Sequence, residues 1–262
     1  MIDGMTRVVA RAVSLLGVLV IVAGCSPEPT DPAAGPTEEA TTSSTSEPTP
    51  QPEPSHEPES TVVAHDPAAD RRLLRAARDG DAAGVATALR DGADIEARDG
   101  HRRTALLLAA TFDRVAVARL LVARGADPDA LDDRHDTPWL VTGVTGSVRM
   151  LEALLPADPD LTIRNRFAGL SVIPASERGH VDYVRRVVRT DIDVNHVNDL
   201  GWTALLEAVI LGDGSAPYQE IVRILLGAGA DPSIADGNGV TALEHAESSG
   251  QTEVARILRR AG

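Results

Sequence analysis

The chain contains no lysine, so its 25 basic side chains other than histidine are all arginines. That bias has no functional reading of its own. Aromatic residues are almost as scarce, with two each of Trp, Tyr and Phe in 262 residues. A base-stacking surface needs several aromatic platforms, so so few argue against single-stranded nucleic-acid recognition. Acidic residues number 39, and the formal net charge is −14. General binding to a phosphate backbone requires clustered cations, which this balance disfavours. There is one cysteine, Cys25, so no disulfide can form within the chain. The fold must be held by its core. The longest apolar run, Ala12 to Gly24, is 13 residues, short of the roughly 20 that a membrane-crossing helix requires.

Sites of chemistry are missing as well. The seven histidines are His56, His65, His101, His135, His180, His196 and His245. No two lie four apart, and no carboxylates accompany them at a metal-site spacing. There is no Gly-x-Ser-x-Gly elbow and no phosphate-cradling glycine loop. Asp127-Pro128-Asp129 and Asp158-Pro159-Asp160 read as turn formers at the ends of helices rather than calcium ligands. No catalytic residue, metal ligand or cofactor is expected.

The N-terminal residues read as a targeting segment. Arg7 and Arg11 precede the apolar run, which ends in Val22-Ala23-Gly24-Cys25. This is the layout of an export signal, and the last four residues resemble the lipobox of bacterial lipoproteins. The resemblance implies a signal peptide over 1–24, cleavage before Cys25, and lipidation of its thiol, palmitate included. An uncleaved signal anchor with an incidental cysteine is the alternative. Residues 25–65 then form a linker. Ten of the 17 prolines lie between Pro27 and Pro67, Ser, Thr and Glu fill the gaps, and no arginine occurs. Such a composition has too little apolar surface to offset chain entropy, so a disordered, extended tether is expected.

From residue 66 the chain keeps a 33-residue period. Gly80, Gly146, Gly179 and Gly212 fall on one comb, with Asp113 at the remaining position. Nine residues upstream of that comb lie Thr104, Thr137 and Thr203, with Leu170 between them. Fixed-period self-similarity signals a stacked array. Thr104-Ala105-Leu106-Leu107-Leu108-Ala109-Ala110 reads as a first helix, Val115 to Leu121 as a second, and Gly125-Ala126-Asp127 as the closing turn. The same triplet recurs at Gly92-Ala93-Asp94 and Gly229-Ala230-Asp231. In these motifs residues 66–262 resemble the ankyrin-repeat family. The resemblance implies an all-α repeat solenoid of helix-turn-helix units joined by finger loops. Six repeats are expected, at 66–98, 99–131, 132–164, 165–197, 198–235 and 236–262. The interval Thr203 to Thr241 is 38 residues, and the excess is expected as a loop over 213–219.

In ankyrin arrays the concave face is built from finger tips and exposed first-helix positions. Carried over by the comb, these are Phe112, Arg134, Arg166, Phe167, Glu177, Arg178, Trp202 and Glu207. The densest polar and aromatic patch is Asn195 to Trp202 with Glu207, next to the 213–219 insertion. His196, Asp213 and Tyr218 complete the partner-binding candidates. Packing of Trp202 against the neighbouring finger is the structural alternative. The implied protein is a monomer anchored by lipid at the membrane, outside the cytoplasm, binding an unidentified envelope or periplasmic protein and no nucleic acid. The rivals are an envelope-polymer or small-ligand binder, with a groove between units four and five, and an enzyme for which no residues stand ready. Intact-mass analysis of the membrane-extracted protein should give a chain starting at a lipid-modified Cys25. Cys25→Ser should release the protein from the membrane fraction, and an unmodified, uncleaved chain would overturn the assignment.

Overall fold

A computed structural model describes residues 66–261. Among these residues twelve α-helices form six pairs: α1 Pro67–Asp79 with α2 Ala82–Arg90, α3 Ala105–Thr111 with α4 Val115–Val122, α5 Pro138–Thr145 with α6 Val148–Leu154, α7 Val172–Glu177 with α8 Val181–Val187, α9 Ala204–Ile210 with α10 Ala216–Gly227, and α11 Ala242–Ser248 with α12 Thr252–Arg259. First helices pack on first helices in the order α1, α3, α5, α7, α9, α11, and second helices pack on second helices likewise. One continuous apolar core runs through the stack, from Leu73 in α1 to Leu258 in α12. The signal segment, Cys25 and the proline-rich linker lie outside the described residues.

Each first helix begins where a side chain can satisfy its free N–H groups. Asp66 accepts from Ala68 N at 2.8 Å, with Pro67 behind it in the first turn. The threonine comb does the same work: Thr104, Thr137 and Thr203 accept from Leu107, Leu140 and Leu206 at 3.1–3.2 Å. Thr241 and Glu244 close a reciprocal capping box. Leu170 cannot cap and is buried instead, and α7 starts without a side-chain cap at six residues long. The glycine comb ends the first helices in the left-handed region at Gly80 and Gly146. Asp113 takes the same conformation at φ 53° without being glycine.

The excess in unit five differs from the loop expected. Ala216 to Gln219 form the first turn of α10, which reaches 12 residues. Pro217 suits that turn because its missing N–H has no helical partner to lose. Asp213 accepts from Ser215 N at 2.9 Å, and the left-handed residue moves from Gly212 to Gly214. The insertion is thus mostly additional helix.

A second row of side chains locks neighbouring units together. Arg114 Nε donates to Arg78 O at 2.9 Å, and His180 Nε2 lies 3.2 Å from Val144 O. The Tyr218 hydroxyl donates to Glu177 O at 3.0 Å, and Gln251 Nε2 donates to Val209 O at 2.8 Å. Ser147 Oγ holds Asp113 at 2.6 Å. Residues 114, 147, 180, 218 and 251 follow one another at 33, 33, 38 and 33. Most of them satisfy carbonyls that the end of a helix leaves free.

In units three and four small and polar groups replace the usual alanine pair. A Cβ on Gly143 would stand 2.0 Å from the backbone oxygen of Ser171, so these two units approach closer than any other residue allows. Beside it Thr142 Oγ1 and the buried Tyr183 hydroxyl share a hydrogen bond of 2.7 Å, and burial pushes the Tyr183 phenol up to about 12. Gly143→Ala should destabilise by about 1–3 kcal/mol through overpacking against rigid backbone, exceeding the roughly 1 kcal/mol that alanine gains in a helix. Urea unfolding of the variant should show a lower midpoint.

Candidate functional site

The finger loops are held by one side chain each. Asp99 Oδ1 accepts from the backbone of His101 and Arg103 at 2.9 and 3.0 Å. Asp132 does so for Arg134 and Asp136, and Asn165 for Phe167 and Gly169. Asn198 binds Leu200 and Trp202, and Asp236 binds Asn238 and Val240. These short side chains impose a tight local turn, with the third residue after each in the left-handed region: Arg102, His135, Ala168, Gly201 and Gly239. The second residue after each clamp therefore stands at a finger tip. His101, Arg134, Phe167, Leu200 and Asn238 form that row. Adjacent tips are bridged where Asp133 N donates to His101 O and Asp199 N to Phe167 O, at 3.2 and 3.0 Å. The Asp/Asn comb at 99, 132, 165, 198 and 236 stands in the sequence as plainly as the threonines, and went unread beside them.

The residues expected to meet a partner divide into three groups. Arg134, Arg166, Arg178 and Asp213 are exposed. The Arg166 guanidinium lies over the half-buried Phe167 ring, 4.7 Å from its centroid, and 3.8 Å from Asp136. Glu177, His196, Trp202 and Tyr218 are half-buried. His196 Nε2 sits 2.6 Å from Ala168 O and ties finger to finger. Trp202 packs on the core. Tyr218 is the inter-unit lock of the fifth unit rather than part of an open loop. Finally, Glu207 lies beneath the surface, 5 % exposed. Within the Asn195 to Trp202 patch the most exposed apolar side chains are Val197 at 44 % and Leu200 at 45 %, which its polar and aromatic character did not single out. Phe112, 42 % exposed at the end of α3, was anticipated.

Glu207 projects from α9 toward its own finger, where Asn198 Nδ2 donates to its Oε1 at 2.9 Å. Burial and the nearby Glu177 charge push its carboxyl up to about 8, with the Asn198 bond opposing them. At neutral pH it is therefore mainly the acid. One unit later the same positions hold His245 and Asp236, 2.9 Å apart. Among the described residues no group of three or more His, Cys, Asp or Glu could hold a metal ion. No described helix is long and apolar enough to cross a membrane.

Family models for ankyrin repeats match residues 101–133 as a single repeat, and 144–236 and 173–262 as three-copy arrays. The chain belongs to the ankyrin-repeat family. It is 40 % identical over 190 residues to the ankyrin repeat protein YahD of Escherichia coli, covering 72 % of this chain and 94 % of that one. Among solved structures, an ankyrin repeat domain from Acinetobacter baumannii is 43 % identical with TM-score 0.70, over 72 % of this chain and 97 % of its own. The ankyrin repeat domain of Bcl-3, a member of the IkappaB family, is 28 % identical with TM-score 0.66, over 73 % and 86 %.

Ankyrin arrays generally serve as protein-interaction modules, and in this one the finger tips and first-helix ends carry exposed side chains on their surface. Within the ankyrin array Glu207 belongs to the scaffold under that surface. Its carboxyl is raised in the folded state, so the folded chain binds more protons than the unfolded one between about 4.5 and 8. The stabilisation is complete below that window and is lost as pH rises through it. Glu207→Gln, neutral at every pH, should remove this fall. Thermal melts of both proteins from pH 5 to pH 9 should converge at the acid end and separate at the basic end, with the wild type lower.

Proposed function

We propose that this chain is a membrane-tethered ankyrin-repeat binding protein of six repeats. It is exported, anchored through Cys25, and captures a partner protein of the cell envelope on its finger and first-helix surface. The observation that supports the binding reading most is the row of exposed side chains that the fold does not need. Arg166 stacked on Phe167, with Val197 and Leu200 on the next finger and Arg178 at the end of α7, combines apolar and guanidinium groups. Arginine and aromatic side chains dominate interface hot spots. By contrast, Asn198, Trp202, Glu207 and Tyr218 are taken up in building the scaffold beneath them.

The tether supports the same reading. Forty residues of proline-rich chain at about 3.1 Å each reach roughly 120 Å when extended. An anchored array searches that volume at a raised effective concentration of membrane-bound partners. Photo-crosslinking from the finger tips in native membranes, read by mass spectrometry, should give one dominant partner. Combined Arg178→Ala and Leu200→Ala should lower the crosslinked yield at least fivefold with the melting temperature unchanged. Undiminished yield would sink the proposal.

A further inference from the structure

Helix α1 bears Arg71, Arg72, Arg75 and Arg78 against Asp70 and Asp79, and the finger that follows α2 bears Arg98, Arg102 and Arg103 among Asp91, Asp94, Glu96 and Asp99. The balance turns positive only where these two elements meet. Between these two elements lies an open depression of about 170 Å³, lined by Leu74, Arg75, Arg78, Asp99, Arg103 and Leu108. We propose that this depression seats an acidic, extended segment of the partner protein. A carboxylate would lie between the guanidinium groups, and a neighbouring apolar side chain would rest on Leu74 and Leu108. The inference rests on the binding reading above and narrows it to a partner chemistry.

The ion pairing within the depression is incomplete. Asp99 is fully committed, accepting from the backbone of His101 and Arg103 and from the Arg103 side chain at 2.7 and 2.8 Å. It neutralises Arg103 and nothing else. Arg75 makes no ion pair among the described residues, and Arg78 pairs with its exposed neighbour Asp79 at 3.1 Å. Arg102, held at φ 61° on the finger corner, is exposed and likewise makes no ion pair among the described residues. Arg75, Arg78 and Arg103 line the depression beside Leu74 and Leu108, where a carboxylate is partly shielded from water and bound more strongly than on open surface. Every cation is a guanidinium, whose planar fork matches a carboxylate with two parallel bonds.

Two other anionic surfaces fit less well. Nucleic acid would meet a chain strongly negative elsewhere and poor in stacking rings. A bilayer presents its headgroups in a plane, whereas these guanidinium groups border a recess between a helix and a finger. An acidic polypeptide strand can enter such a recess with one side chain at a time.

The test uses the purified full chain in detergent and fluorescence anisotropy of a labelled peptide of repeated Glu-Glu-Leu. Binding should be saturable and should weaken with added salt, and the matched Lys-Lys-Leu peptide should not bind. Combined Arg75→Glu and Arg78→Glu should lower affinity at least tenfold with an unchanged melting temperature. Single Arg75→Ala, a milder change, should lower it about threefold. Unchanged affinity in these variants overturns the proposal, as does binding to phosphatidylglycerol vesicles or to a single-stranded oligonucleotide in preference to the acidic peptide. Membrane crosslinking separates the two readings. Yield lost in the Arg178 and Leu200 variant but untouched by charge reversal at Arg75 and Arg78 overturns this inference alone. Yield indifferent to both sets overturns the binding reading with it.

Discussion

No pair of the described helices can close a core by itself. Helices of six to nine residues, such as α7 and α2, are too short to be stable alone in water. Each has an apolar face that only the next unit covers. The stack therefore forms through nearest-neighbour contact, first helix on first helix and second on second. Everything else serves the register of that stacking. Small residues set the approach, most severely at Gly143, where there is no room for a methyl group.

Polar groups hold the register that apolar packing leaves loose. The row through Arg114, Ser147, His180, Tyr218 and Gln251 ties each unit to the one before it. The row through Asp99, Asp132, Asn165, Asn198 and Asp236 ties each finger to itself. Because these rows use side chains mostly to satisfy backbone groups, the remaining finger and first-helix positions are released from that duty. Those positions vary most in chemical character, from His101 and Arg134 to Phe167 and Leu200. The array separates scaffold from display at the level of single residues.

Much of this was legible in the chain. The threonine comb named the first-helix starts, and the glycine comb named most of their ends. Leu170, the one break in the threonine comb, stands where the helix lacks a side-chain cap. The reading was less complete where two explanations share one residue type. Glu207 occupies a position that family likeness assigns to the surface, and in the sequence nothing distinguishes a displayed glutamate from one held under the surface by Asn198. Tyr218 sits within an insertion and looked like loop. Its role emerges only when the five additional residues are placed ahead of it, which returns it to the row of inter-unit locks.

Periodicity, with the ankyrin-like motifs it repeats, pointed to the class of fold, the order of its helices and most of the residues that begin and end them. These depend on local chemistry: a hydroxyl three residues before an N–H, or a residue able to turn left-handed. The tertiary structure decided which polar side chains are display and which are framework, because that depends on atoms 30 to 40 residues away in the adjoining unit. It also brought Arg75 and Arg78 of α1 and Arg103 of the finger after α2 to one recess, beside Leu74 and Leu108. Charge adds up along a sequence regardless of position, whereas a binding surface depends on where the charges meet.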